Sequence, residues 1–372
     1  MRNPQLLAIA ILFWMCVGLG QQAALSQPDP VLHPRPPKQA IIPGAIVPPG
    51  RIQLDAVVTD AAGKPIDGLN PWDFTVFDNE HPQKILTFHG YDGLNAKPDP
   101  PVEIILVIDV ANLPFQQVAF VRQQVTKYLR QNGGHLTQPI SIILITDTGM
   151  RIQPRPSTDG KALASVVDQI NGIVGSINPA MGFEGDLQRF QLSVHHLTSI
   201  AENEAMAPGR KLLIWIGPGW PILDSANFVS SEQNQQRYFD SIVELSTKLR
   251  EARTVLYSVA PSNSTTEAGM RTILYQAFLK GVKSPRQAAA GNLALKVLVT
   301  ETGGRVLGPD NDVAGQISAC IAEANSFYRL SFDPPSAAHP NDYHDLKVLV
   351  NKQGVVARTF TGYYNQPVAK PN

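Results

Sequence analysis

Apolar residues follow two patterns along this chain, and the switches between them mark its segments. From residue 51 to 94 they alternate with polar ones: Ile52, Leu54, Ala56 and Val58 read as a half-buried strand. Asp60-Ala61-Ala62-Gly63-Lys64 supplies a turn. Phe74 to Asp78 and Lys84 to Phe88 read as two more strands of an antiparallel meander, separated by Asp78-Asn79-Glu80. From Val102 the apolar runs become continuous: Ile104–Ile108, Ile140–Ile145, Leu212–Ile216 and Val255–Val259. Such runs suit strands buried on both faces of a parallel sheet. Between them, Val118, Val121, Val125 and Leu129 form one helical stripe, and Phe239, Ile242, Leu245 and Leu249 another. A helix over Asn292–Thr302 ending at Gly303-Gly304, a short strand Arg305–Leu307 and a helix Asp312–Ala324 follow. The alternation predicts a doubly wound α/β domain over residues 100–325. Cys320 falls on the apolar stripe of the last helix, as a buried thiol without chemistry.

Alternation then returns with Tyr328, Leu330 and Phe332, with Leu346, Val348 and Val350, and with Thr359, Thr361 and Tyr363. Neither terminal β segment is large enough to bury a core alone. The expected architecture therefore pairs residues 51–94 with 326–364 as one small Ig-like β-sandwich, the α/β domain inserted between them and residues 365–372 forming a tail.

Arg2, the apolar run Leu6 to Leu19 and Ala24-Leu25-Ser26 have the order of a secretory signal peptide, residues 1–26. The run is short for a membrane span and no other stretch approaches about 18 apolar residues. Export to a periplasmic or extracellular location, without membrane insertion after cleavage, is the expectation. Residues 27–50 hold eight prolines and read as a semi-rigid linker. With 43% apolar and 17% charged residues, the chain can build large cores. Lys plus Arg and Asp plus Glu both number 31, a balance that leaves no electrostatic footprint for nucleic acid. Two cysteines, Cys16 and Cys320, exclude cysteine-rich zinc modules and, after signal cleavage, any internal disulfide.

Open α/β sheets bind ligands at the carboxyl ends of their strands. The first central strand ends in Asp109-Val110-Ala111-Asn112-Leu113, and Pro114-Phe115 open the next helix, which leaves Asp109 too early to serve as its cap. Asp109 and Asn112 are the candidate ligand-contacting residues there. The strand ending in Asp109, "PGRKLLIWIGPGWP", "LVTETGGRVL", "DFTVFDNEHPQKILTF" and "FYRLSFDPP…FTGYYN" together resemble the von Willebrand factor type A (VWA)-related proteins abundant in Acidobacteria, over residues 51 to 364. The resemblance implies a Rossmann-like interaction module rather than an enzyme, with a partner bound in many cases through a divalent metal. That metal site uses Asp-x-Ser-x-Ser, a Thr from a second loop and a later Asp, supplying hard oxygens to Mg²⁺. Here Asp109 matches the first Asp, Ala111 and Leu113 stand at the two Ser positions, the later Asp falls at Gly217, and Ile173–Ser193 contains no Thr. The implied site is degenerate, and neither a metal nor another cofactor is expected.

No Gly-x-Ser-x-Gly, His-Glu-x-x-His or Gly-x-x-x-x-Gly-Lys-Ser/Thr motif occurs. Pro218 and Trp220-Pro221 spoil Gly217-Pro218-Gly219 as a phosphate loop. His195 and His196, with Asp186 upstream, read as solvated helix residues, and Asp147 as a turn residue. Trp215, Trp220 and Phe228 surround the "GPGWP" loop; Trp215 reads as core, and Trp220 as an exposed partner-binding anchor. Ile173–Gly185 reads as a second surface loop. The leading expectation is an exported, non-catalytic interaction or adhesion module whose partner is a protein or cell-envelope ligand. The alternative is an exported hydrolase using Asp109 or Asp147.

Overall fold

The continuous apolar runs form the centre of a seven-stranded sheet in the computed structural model, which describes residues 50–153, 155–169, 182–220, 231–262 and 275–367. Residues 1–26, expected above to be a signal peptide, and residues 27–49 of the expected linker lie outside the described residues. In chain order the strands are β1 (Ile52–Asp60), β2 (Phe74–Asp78), β3 (His81–Gln83), β4 (Thr87–Asp92), β5 (Glu103–Asp109), β6 (His135–Thr146), β7 (Gly149–Ile152), β8 (Ser157–Asp159), β9 (Lys211–Ile216), β10 (Thr254–Pro261), β11 (Val306–Asp310), β12 (Ser326–Phe332), β13 (Asp342–Val350), β14 (Val355–Arg358) and β15 (Gly362–Asn365). The helices are α1 (Phe115–Leu129), α2 (Gly160–Asp168), α3 (Gly182–Ala205), α4 (Glu232–Glu251), α5 (Leu295–Glu301) and α6 (Val313–Ile321).

The central sheet has the order β11-β10-β9-β5-β6-β7, with β8 also pairing with β6. Its five strands from β11 to β6 run parallel, and the short β7 and β8 are antiparallel additions. All residues of β5, β9 and β10 are buried, the burial that continuous apolar runs require. The chain leaves β5 through α1 toward β6, and leaves β9 through α4 toward β10 on the other side. The strand order therefore reverses between β5 and β9, the position at which open α/β sheets form a crevice. Local chemistry sets the helix boundaries: the Ser231 hydroxyl accepts from Asn234 N at the start of α4, Asp312 from Gly315 N at the start of α6, and Asp159 from Lys161 N and Ala162 N at the start of α2.

The terminal segments build two four-stranded antiparallel sheets, β14-β1-β12-β4 and β15-β13-β2-β3. Each contains strands from both ends of the chain. Their inner faces meet through Phe74 against Tyr328 at 5.0 Å and Phe332 against Tyr363 at 6.4 Å between ring centroids. The expected meander is overturned. Strand β1 pairs with β12 and β14, and only β2 and β3 form a hairpin. The reason lies in β1 itself, which is buried on both faces rather than one: Leu54, Ala56 and Val58 face the paired sheets, whereas Val57 joins the core around Ile104, Val121 and Ile317. Lys84–Phe88 does not form one strand, because pairing of β4 with β12 begins at Thr87. The helix expected from Asn292 starts at Leu295, after a tight turn at Ala290–Leu293. Thr359–Tyr363 is broken between β14 and β15, where Thr361 N donates to Glu301 O outside the ladder.

Buried charges tie the terminal strands to the central sheet. Glu323, just after α6 and 1% exposed, accepts from Tyr257 Oη at 2.8 Å, Arg305 Nη1 at 3.0 Å and Arg358 Nη2 at 2.7 Å. Asp55 of β1 accepts from Arg253 Nη2 at 2.6 Å and Arg329 Nε at 3.4 Å. Burial pushes the Asp55 carboxyl up, but Arg253 and Arg329 together hold it below the usual carboxylate range. Removing one partner of such a cluster strands the others as uncompensated charge. Glu323→Ala is expected to lose about 3–5 kcal/mol in urea denaturation, and a loss below about 1 kcal/mol would show that the arginines re-solvate freely.

Candidate functional site

Asp109 is the last residue of β5 and stands beside the end of β9, at the point where the strand order reverses. Period-two geometry puts its side chain on the sheet face of Ile105 and Val107, the face that Leu213 and Trp215 of β9 share. The carboxylate has no exposed surface. Trp215 Nε1 donates to its Oδ2 at 2.8 Å, Asn112 Nδ2 reaches both oxygens at 3.0 and 2.9 Å, and Asn112 N donates to Oδ1 at 3.2 Å. Asn112 Nδ2 also lies 3.0 Å from Ser193 Oγ on α3, which ties the β5 loop to that helix. Gly217, at the end of β9, makes room for this arrangement, since a Cβ there would come 3.1 Å from Asp109 Cβ. Burial pushes the Asp109 carboxyl up to about 6, while the hydrogen bonds from Trp215 and Asn112 oppose that shift.

The structure thus brings Asp109 and Asn112 together, but as an interior pair: Asn112 is 8% exposed, and its buried Oδ1 has no hydrogen-bond partner among the described residues. Trp220 corrects an expectation. It is 3% exposed rather than presented on the loop, its Nε1 donates to Leu293 O at 2.9 Å, and its ring meets that of Trp215 edge-on at 5.0 Å. Turning inward satisfies the indole N–H and buries the ring together, which outweighs exposure for so large an apolar surface. Trp215 was legible as core but not as the donor to Asp109. Ser193 carried no motif, although Phe190, Ser193, Leu197 and Ile200 follow the buried-face spacing of a helix. His196 shares that face and is buried, not solvated; its Nε2 has no hydrogen-bond partner among the described residues, and burial followed by repulsion from His195 lowers its imidazole to about 4. Asp186 pairs with Arg189 one turn along α3. Residues 170–181 and Phe228 lie outside the described residues, and Gly182–Gly185 open α3 instead of closing a loop.

A buried His–Asp pair that sequence reasoning missed lies between β2 and β13. His344 Nδ1 stands 2.6 Å from Asp78 Oδ1, and Tyr363 Oη donates to Asp78 Oδ2 at 2.5 Å. His344 is 5% exposed, so the pair braces the second terminal sheet from inside. Among the described residues, no three His, Cys, Asp or Glu side chains are grouped to hold a metal ion, and no helix is long and apolar enough to cross a membrane.

No family model matches the chain, and no curated protein does. Solved structures that it is similar to include a von Willebrand factor type A protein from Catenulispora acidiphila, at 8% identity and TM-score 0.31, covering 86% of this chain and 76% of that one. The pilus adhesin SpaC from Lactobacillus rhamnosus GG matches at 10% identity and TM-score 0.33, over 81% of this chain and 49% of the adhesin. The PilB minor pilin from Streptococcus sanguinis, as its D319A mutant, matches at 9% identity and TM-score 0.32, over 59% of this chain and 62% of the pilin. The chain spans less than two thirds of either pilus protein. Likenesses this distant carry no functional assignment, and the description of the fold rests on the strand order and burial above.

Two outcomes follow. Trp220→Ala is expected to cost about 3–5 kcal/mol in denaturant, whereas a surface anchor would cost almost nothing. Asp109 binds its proton more tightly folded than unfolded, so its contribution to stability is full below about pH 4 and is lost as pH rises through about 6. Between pH 4.5 and 6.5 the wild type should therefore lose about 2 kcal/mol relative to Asp109→Asn. The comparison cancels His196, whose lowered imidazole acts in the opposite sense. Parallel stability curves for the two proteins would refute the raised carboxyl.

Proposed function

We propose that this chain is an exported, non-catalytic interaction module of the adhesion type, a VWA-like α/β domain carried on an Ig-like β-sandwich, that binds a protein or cell-envelope partner without a metal. The observation that carries this reading is the sealing of Asp109. Its lone pairs are already taken by N–H donors from Trp215 and Asn112, and its oxygens do not reach solvent. Mg²⁺ calls for about six hard oxygens, and Ala111, Leu113 and Gly217 bring no side-chain oxygen to the positions around Asp109. The donor set does not fit the ion. A sealed acid is equally unsuited to activate water, which counts against the hydrolase alternative.

In this reading Asp109, Asn112, Trp215 and Trp220 give the strand-end rim its shape, and contact falls to the residues outside them. Phe115, 65% exposed at the start of α1, stands on that rim directly after the Asp109 loop, and Phe183 is exposed at the start of α3. Exposed aromatic side chains on rigid elements supply contact area at small entropic cost.

The test is capture from a cell-envelope extract by immobilised mature protein, run with Mg²⁺ and with chelator. Capture should be equal in the two and fall at least fivefold in Phe115→Ala with its melting temperature unchanged. Chelator-sensitive capture would restore the metal-dependent site, and turnover of a substrate by the purified chain would end the non-catalytic reading.

A further inference from the structure

A second feature lies away from the strand-end rim, where α4 and α5 face β13 and β15. A small open cleft lies there, lined by Leu249, Leu298, Tyr343, Phe360, Tyr364 and Glu301. Its enclosed part has room for one group the size of a water molecule.

Glu301 is the last residue of α5, and it has no ion pair and no hydrogen bond to its carboxylate among the described residues. Acids in such surroundings are usually paired. Around it α4 contributes Ile242, Ser246 and Leu249, α5 and the residue after it contribute Leu298 and Thr302, and residues 360–362 contribute Phe360, Thr361 and Gly362. The titratable groups facing it are the phenols of Tyr343 and Tyr364, and no cation is among the lining residues. Burial without a neighbouring positive charge pushes the Glu301 carboxyl up to about 8.

The aromatic wall is built by specific backbone allowances. A Cβ at Gly281 would fall 2.0 Å from the Tyr343 ring, and one at Gly362 would fall 2.2 Å from its hydroxyl, so both glycines are needed to seat that side chain. Tyr364 meets Tyr343 at 5.2 Å between centroids, inclined at 62°, and its hydroxyl donates to Val282 O at 2.9 Å. What faces the cleft is thus aromatic surface beside one unpaired acid.

We propose that this cleft binds a primary alkylammonium group, the tip of a lysine side chain or of a free amine, with Glu301 as counter-ion and the Tyr343, Tyr364 and Phe360 rings around the cation and its first methylenes. An ammonium matches the water-sized recess, its charge meets an acid that lacks a partner, and aromatic rings favour a cation over a neutral group of the same size. The site is independent of the strand-end reading and survives or fails without it.

Isothermal titration with n-butylammonium, n-butanol and Nα-acetyl-lysine methylamide tests it. Both ammonium probes should bind and butanol should not. Because the acid must ionise to pair, affinity should be about 50-fold higher at pH 8 than at pH 6, while the ammonium, with a reference value near 10.4, stays charged throughout. Glu301→Gln should lose at least tenfold at pH 8. Tighter binding of the lysine derivative identifies a protein side chain as the occupant, and tighter binding of butylammonium identifies a free amine; both uphold the site. Failure of both ammonium probes, equal binding of butanol, or an affinity flat from pH 6 to 8 would overturn it. The wild-type arms decide even where the variant does not fold.

Discussion

Two buried carboxylates, each held between two arginines, carry the constraint on which the rest of the molecule depends. Glu323 gathers Arg305 from the approach to β11 and Arg358 from β14, and Asp55 of β1 gathers Arg253 before β10 and Arg329 of β12. Arg210 adds a third link, with its guanidinium donating to Glu323 O and Ala324 O and lying 4.6 Å from the centre of the Phe327 ring. All of these groups lie near the amino ends of the parallel strands, where the terminal sheets meet the central one. Buried ions repay their desolvation only when every partner is in place. The seam therefore ties strands from both chain ends to the central sheet in one arrangement and leaves the opposite edge of that sheet to the loops.

That opposite edge holds the crevice, and its chemistry is turned inward. A strand-end aspartate beside the reversal of strand order is the usual start of a ligand site. Here an indole from the neighbouring strand and an amide from its own loop occupy it, and Ser193 closes the arrangement from α3. Trp220 backs Trp215, so the aromatic pair and the acid form one packed unit. The cost of burying the carboxylate is visible in its raised proton affinity, and the return is a rigid rim from which Phe115 projects.

Much of the scaffold was legible beforehand because its signals are local. The runs at Ile104, Ile140, Leu212 and Val255 became strands of the parallel sheet, and the last helix begins directly after Asp312, which caps it. Cys320 is buried, as its place on the α6 stripe implied. Lys211 shows the limit of such reading. It opens a strand as a lysine and ends fully buried, with its ammonium on the carbonyl oxygens of Glu204 and Ala252, groups 7 and 41 residues away. No spacing rule reports a partner that far along the chain.

By itself the sequence determined the four central strands of the parallel sheet, the helices α1, α4 and α6 between and after them, the two-sided burial of that sheet, the shortage of oxygen ligands around Asp109 and the position of that acid at a strand end. Each depends on residues close in sequence, through period-two or period-3.6 spacing or through the side chains a position lacks. Only tertiary structure decided that β1 and β2 enter different sheets, that Trp220 points inward, that Trp215 serves as a donor, and that Glu301 faces aromatic rings without a counter-ion among the described residues. These outcomes were set by competition among contacts from distant segments, in which satisfying a buried N–H or filling a core face outweighs local preference.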